Sequence, residues 1–194
     1  MVYKPKILAF AGSLRPDSYN KKLVKIAGQG VEKAGGEVTY IDLRDYPLPL
    51  YDQVIEDSEG LPQNALKLKE LFMQHQGLLI SSPEYNSSMS AVLKNTIDWV
   101  SRQATPSEIY LECFFNKVAV IMSASPGGLG GLRGLVHLRD MLGNINIIVM
   151  PQQKSISNAP EAFTPEGELR DPKQTKSVQK LGEDLVNVLK KLNS

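Results

Sequence analysis

The 194-residue chain has a single cysteine, two histidines and a single tryptophan, and each scarcity removes a class of chemistry. Cys113 alone cannot close an internal disulfide or supply a multi-cysteine zinc site, a pattern in keeping with a reducing cytoplasm. His75 and His137 lie far apart in sequence beside no acidic or cysteine cluster, so no metal site is expected. Charge of one sign is missing too. A total of 22 Lys and Arg against 21 Asp and Glu leaves a net charge of +1, too little to steer the chain to nucleic acid or to a membrane surface. No apolar stretch approaches the roughly 20 residues that span a bilayer. The first apolar run stops at Ala11, too soon for the apolar segment of a secretory leader. No repeat, low-complexity tract or linker interrupts the chain. These absences point to one ordinary cytoplasmic domain over residues 1–194.

What is present is an alternation of strands and helices. Residues 7–11, 77–81, 118–122 and 145–150 read as strands, the first a continuous apolar run of the kind found when both faces of a sheet are covered. Residues 38–41 are less apolar and read as an edge strand. Between them, Leu23, Ile26, Ala27 and Val31 recur at helical spacing and stop at Gly35-Gly36. Leu61, Ala65, Leu68 and Phe72 mark a second helix, and Met89, Leu93, Thr96, Ile97 and Val100 a third. Residues 129–141 predict a fourth, and Val178, Leu181, Leu185, Leu189 and Leu192 an amphipathic last helix. Five strands interleaved with helices predict an α/β fold. The expected architecture is a doubly wound five-stranded parallel sheet in the flavodoxin-like order 2-1-3-4-5. The connections 43–60, 102–117 and 151–173 are long and read as loops.

In such a sheet ligands sit beyond the carboxyl ends of the strands, at the switch point between strands one and three. Three loops are expected at that edge. The first, residues 12–20, opens a helix with Ser13, Arg15, Ser18, Tyr19 and Asn20. A helix N-terminus offers free N–H groups and the positive end of a dipole, and Arg15 adds a planar cationic fork, so a terminal phosphate suits it. The loop lacks both G-x-G-x-x-G and the Walker pattern. A plain turn with Ser18 as N-cap would explain the same residues. The second loop, residues 82–88, places Pro83, Glu84, Tyr85 and Asn86 where a flat heterocycle could lean, or where Tyr85 merely covers the sheet end. Ser87 or Ser88 is expected to cap the helix that follows. The third, residues 123–131, offers Ser123, Ser125, Gly127 and further glycines that permit close approach to a ligand, or a flexible link.

On these motifs the chain resembles the flavodoxin-like NAD(P)H-dependent FMN reductases, the group that includes quinone, chromate and azo-dye reductases. The matching stretches are G-S-L-R-x-x-S-x-N from Gly12 to Asn20, S-P-E-Y-N from Ser82 to Asn86, L-K-N-x-I-D-W from Leu93 to Trp99, and S-x-S-P-G-G from Ser123 to Gly128. The likeness runs from Lys6 to about Met150. It implies FMN as cofactor and NADPH or NADH as co-substrate. It implies that Ser13, Arg15, Ser18 and Asn20 hold the FMN phosphate with Tyr19 beside it. Pro83, Glu84, Tyr85 and Asn86 would line the ring through their backbone, and the loop with Ser123, Ser125 and Gly127 would lie along the ribityl or ring edge. It implies ping-pong transfer of electrons from the nicotinamide to a small acceptor, and a homodimer or homotetramer with the 89–100 helix and the 43–60 loop at the interface. A flavodoxin-type electron carrier without its own NAD(P)H turnover is the rival of another class; the +1 charge and Arg15 argue against it. No protein side chain is expected to act as acid, base or nucleophile. Trp99 and Cys113 read as core, the tail after Pro151 as rim, and Arg133, His137 and Arg139 as a solvated helix face.

Overall fold

The computed structural model describes residues 3–193. Met1, Val2 and Ser194, the ends of the domain expected over 1–194, lie outside the described residues. Strand β1 (Lys6–Ala11) sends successive side chains to opposite faces. Ile7 and Ala9 join a core cluster with helices α1 (Tyr19–Lys33) and α7 (Pro172–Leu192). Leu8 and Phe10 join a second cluster with α3 (Gln63–Gln74), α4 (Ala91–Val100) and α5 (Leu132–Asn144). Strands β3 (Gly77–Ser81) and β6 (Val118–Ala124) divide their side chains in the same way. Burial on both faces is why these strands are unbroken apolar runs rather than alternating ones.

β2 (Glu37–Ile41) forms one edge, paired with β1 alone, and the order is β2-β1-β3-β6-β7 with every pairing parallel. Two short strands, β4 (Glu84–Tyr85) and β5 (Ser88–Met89), form a separate antiparallel hairpin. With that hairpin set aside, the sheet has the expected 2-1-3-4-5 order and flavodoxin-like architecture. The fifth position differs from the strand expected at 145–150. It is filled by β7 (Ile148–Val149), opposite Val118–Ala119, and then by β8 (Lys154–Ile156), opposite Met122–Ala124. Pro151 lies between them and has no N–H to give the ladder, so the strand breaks and resumes.

Other boundaries move for local reasons. Helix α5 begins at Leu132, not 129, because Gly130 and Gly131 hold φ of +62° and +88°, values that end any helical run and suit only glycine well. The 43–60 connection is not bare loop: it contains a 3-10 turn (Leu43–Asp45) and α2 (Gln53–Glu59), whose N-cap Asp52 accepts the Val54 N–H. The 102–117 connection buries Cys113 and Phe114. The tail is more than rim. β8, the short helix α6 (Ala159–Ala162) and the bridge between Phe163 and Leu169 place Ile156, Ala159, Phe163 and Leu169 in the α1/α7 core. Among the described residues, no helix is long and apolar enough to cross a membrane.

Candidate active site

The loops after β1, β3 and β6 meet at the carboxyl ends of their strands. They enclose a cavity of about 100 Å³ lined by Ser13, Arg15, Ser18, Tyr19, Asn20, Pro83, Glu84, Tyr85, Ala124, Ser125 and Pro126. Asn86, Ser123 and Gly127 do not line it. The larger cleft of about 650 Å³ between α1 and the β2 edge carries both signs of charge. Its Lys21 and Asp42 are paired at 2.6 Å, so neither is open to a ligand. Asp42 also caps the 3-10 turn through the Arg44 N–H, which accounts for an acid at the end of β2.

On the first loop, the Arg15 guanidinium makes no hydrogen bond or salt bridge among the described residues and only helps to lower the Asp17 carboxyl through space, while the Arg15 backbone N–H leans on the Ser13 hydroxyl at 3.4 Å. Ser18 occupies the N-cap position of α1 in extended backbone, but its side chain caps nothing. The first-turn amides of a helix lack intrahelical partners, so α1 presents them uncapped beside an unpaired guanidinium. Asn20 has a different part. Its Nδ2 donates to the Ala124 carbonyl at 3.0 Å, and its Oδ1 accepts from the Ala124 N–H at 3.0 Å and from Ser81 Oγ at 2.8 Å. One buried amide therefore ties the start of α1 to the ends of β3 and β6. Tyr19 packs on Phe163, ring centres 5.4 Å apart, and lies under the Lys22 ammonium.

The second loop runs into the β4–β5 hairpin, whose turn residues Asn86 and Ser87 both have positive φ, +50° and +66°, the geometry of a tight two-residue hairpin turn. The helix after it is capped by Ser90, not by Ser87 or Ser88: Ser90 Oγ accepts the Leu93 N–H and donates to the Gly12 carbonyl at 2.6 Å. The Glu84 carboxylate accepts from the backbone N–H groups of Arg133 and Gly134 at 3.0 and 3.3 Å and from the Arg133 guanidinium at 2.8 and 2.5 Å. Burial pushes that carboxyl up, but Arg133 and the helix amides outweigh it and hold it below its usual range. The Arg133, His137 and Arg139 face is thus not simply solvated. His137 Nδ1 meets Ser88 Oγ at 3.1 Å, and Arg139 reaches the Val149 carbonyl and Gln153.

The third loop is held from behind by the tail. Ser125 donates its N–H to the Ile156 carbonyl, and its own carbonyl accepts the Ala159 N–H. Ser123 is fully buried and its hydroxyl donates to the Gly130 carbonyl at 2.7 Å. At Gly128 a side chain would meet nothing within 4 Å, and at Gly127 only the Ser125 hydroxyl at 3.8 Å, so backbone is bare to solvent beside the cavity. Ser81 and Ser90 are contributors that sequence reasoning passed over, legible only once segments far apart in sequence are paired. Ala124 and Pro126 lie within a flagged motif without having been singled out, and Arg133, expected on a solvated face, is instead bound to Glu84.

Outside the cavity, Trp99 is fully buried, meets Tyr51 edge-on and donates to the Pro49 carbonyl at 2.8 Å. Asn95, one turn earlier, donates to the same carbonyl and accepts the Tyr51 N–H. The N-x-I-D-W stretch therefore pins the 46–52 segment to α4. Burial pushes the Cys113 thiol up to about 11. It also holds the Lys117 ammonium, bonded to the His75 carbonyl, down at about 8. The described residues contain no group of three or more His, Cys, Asp or Glu placed to share a metal.

Fold and cavity together define a flavodoxin-like α/β protein with a cavity at the switch point of its sheet. Residues 5–161 match the NADPH-dependent FMN reductase family. The chain is 36% identical over 177 residues to an NAD(P)H-dependent FMN reductase of Pseudomonas aeruginosa, covering 90% of this chain and 89% of that one. It is 32% identical over 171 residues to an NADPH:quinone oxidoreductase of Arabidopsis thaliana, covering 86% and 82%. The solved FerB flavoenzyme NAD(P)H:(acceptor) oxidoreductase of Paracoccus denitrificans superposes with a TM-score of 0.77 at 26% identity, over 96% of this chain and 98% of that one. The chain belongs to the NADPH-dependent FMN reductase family. It is an oxidoreductase whose cofactor is FMN and whose co-substrate is NAD(P)H, which sets aside the electron-carrier reading. The residues present fit that cofactor: an uncapped helix start, two serine hydroxyls and an unpaired guanidinium suit a phosphate monoester, and the bare backbone at Gly127-Gly128 leaves room beside it.

Proposed function

We propose that this is a one-domain cytoplasmic reductase that holds FMN by its phosphate on the 12–20 loop. It passes electrons from NAD(P)H to quinones, and to flavins, azo compounds or metal oxyanions such as chromate, in a ping-pong sequence. The observation that carries the reading is the unpaired Arg15 beside the uncapped start of α1, both facing the cavity between the strand ends. Bound FMN supplies the chemistry, taking hydride from the nicotinamide and giving electrons onward. The chain supplies position. Ser13, Arg15, Ser18 and the first-turn amides grip the phosphate, with Tyr19 braced alongside by Phe163. Asn20 keeps the loops at their spacing. The backbone of Pro83, Glu84, Tyr85 and Asn86 supports the ring, and Ser125 with Gly127 borders it, Ser123 fixing that loop from below.

Quinones lead the acceptors because relatives in Arabidopsis thaliana and Escherichia coli are named for them. The strand ends close one side of the cavity, so nicotinamide and acceptor would use the open side in turn. Initial rates against NADPH at several quinone concentrations should give parallel double-reciprocal lines; intersecting lines would contradict the shared open side while leaving an enzyme.

Self-association belongs to the same reading. Beside Leu14 runs an apolar groove of about 290 Å³ walled by Leu43, Tyr46, Pro47, Leu48 and Val92. On the same segment Leu50 is 80% exposed. A groove and a projecting apolar side chain on one face suit an isologous dimer, formed by the 43–60 segment and α4 with Trp99 acting beneath it, or a tetramer built from such dimers. Light scattering at micromolar concentration should return a multiple of 21.4 kDa; a monomer mass would contradict it.

A further inference from the structure

Among the described residues, Glu84 is the one carboxylate in the cavity wall, and the hydrogen bonds of its side chain are all made to another element. Helix α5 starts after Gly131, in left-handed backbone with no side-chain cap of its own. Glu84 fills that vacancy from 49 residues away in sequence, taking the Arg133 and Gly134 N–H groups on one oxygen and the Arg133 guanidinium on the other. Small residues allow the approach: a Cβ at Gly134 would stand 2.9 Å from the Ser88 carbonyl oxygen and 3.4 Å from Glu84 Cα. The hairpin is tied at its other end by Ser90 to Gly12, and along its length by His137 to Ser88.

We propose that Glu84 is a positioning residue for the flavin ring. By capping α5 and pairing with Arg133 it fixes the Pro83–Tyr85 backbone on which the ring rests, acting through that backbone and not through its carboxylate. The inference rests on the FMN placement given above and adds a residue-level account of what holds the ring end, as distinct from the phosphate end. A neutral amide at this position keeps the shape but replaces an acceptor of charged donors with a weaker one. Arg133 is the exposed member of the pair, with a side chain 59% exposed against 8% for Glu84, so its removal leaves no core void.

The charge predicts a pH signature. The charged group that faces the carboxylate is Arg133 on α5; His137 on α5 is bonded to Ser88 instead, and Arg15 on the first loop lines the same cavity without bonding to Glu84. Arg133 and the α5 amides hold the carboxyl low against the opposing effect of burial, so the clamp is complete at neutral pH and fails only as pH falls through that lowered value. Without Arg133 burial acts with less opposition, the value rises, and the clamp fails at higher pH.

The test titrates wild type, Glu84→Gln and Arg133→Ala with FMN and, separately, with inorganic phosphate, from about pH 8 down to about pH 4, so that the ordinary carboxylate range lies inside the window. Glu84→Gln should bind FMN about tenfold more weakly at neutral pH with phosphate affinity unchanged. Arg133→Ala should stay near wild type at the alkaline end and lose affinity for FMN, not for phosphate, at a pH where wild type is still level. Glu84→Gln that matches wild type for FMN, or an Arg133→Ala pH profile that superposes on wild type, overturns the proposal. Should Glu84→Gln not fold, the Arg133→Ala profile decides alone. A wild type that takes phosphate but not FMN overturns the placement of the ring itself, and is told apart because no variant is needed to see it.

Discussion

Asn20 and Arg15 lie five residues apart and line one cavity, yet only one of their replacements should destabilise the apo-protein. Asn20→Ala removes an amide that serves three buried groups: the N–H and carbonyl of Ala124 and the hydroxyl of Ser81. Each buried polar group left without a partner costs about 1–3 kcal/mol. Partial relaxation, or a water in the space vacated, keeps the total near about 2–5 kcal/mol. At roughly 2–4 °C per kcal/mol for a chain of this size, the apo-protein should melt roughly 4–20 °C lower. FMN affinity should fall as well, because the loops lose their spacing. Arg15→Ala breaks no hydrogen bond of the apo-protein, so its melt should stay within about 0.5 kcal/mol of wild type. Loss of a hydrogen bond to a charged phosphate, about 1.5–3 kcal/mol, should instead weaken FMN binding about ten- to hundredfold. Calorimetric melts of the apo forms and isothermal titration with FMN separate the two. An Asn20→Ala protein that melts with wild type while losing FMN would show that Asn20 is a ligand and not a tie. An Arg15→Ala protein with an apo melt as depressed as that of Asn20→Ala would refute the assignment of Arg15.

Three further outcomes follow from the surrounding structure. Asn95→Ala removes both the bond to the Pro49 carbonyl and the acceptor for the Tyr51 N–H. The 46–60 segment should then be cut faster in limited proteolysis, with the Trp99→Phe variant, which loses only the indole bond, intermediate. Cys113, buried and raised to about 11, should resist a thiol reagent at about pH 8 in the folded protein and react on unfolding. Lys117 is held at about 8, below its ordinary 10.5, so the unfolded chain binds the extra proton between those values. Stability should therefore rise as pH climbs from about 8 towards about 9, above which the raised Cys113 thiol opposes the trend, and that rise should be missing in Lys117→Met when denaturant midpoints are compared across the range.

The sheet was readable because β1, β3 and β6 are buried on both faces, which leaves apolar runs that no helix period explains. The loops that line the cavity were readable because polar segments at the carboxyl ends of parallel strands have few structural jobs to explain them. What escaped was long-range or conformational. Residues 145–150 look like one strand, but Pro151 moves half of it to β8, where Lys154 and Ser155 carry no apolar signal. Leu129 keeps helical register with α5, but positive φ at Gly130 and Gly131 cuts it off. Asn20 looks like a phosphate donor until Ala124, 104 residues on, is found at both ends of its amide. Arg133 looks like a surface charge until Glu84 is beside it. Each of these depends on which distant segment the fold brings alongside, and no local pattern encodes that.

The central claim is that this chain holds FMN where NAD(P)H can reduce it and a quinone can reoxidise it. Its most direct test is the visible absorbance of the purified protein reconstituted with FMN, followed anaerobically as NADPH or NADH is added and then a quinone. The account predicts that the nicotinamide alone bleaches the bound flavin and that the quinone restores its colour with no other protein present. A flavin that stays yellow with both nicotinamides would contradict it.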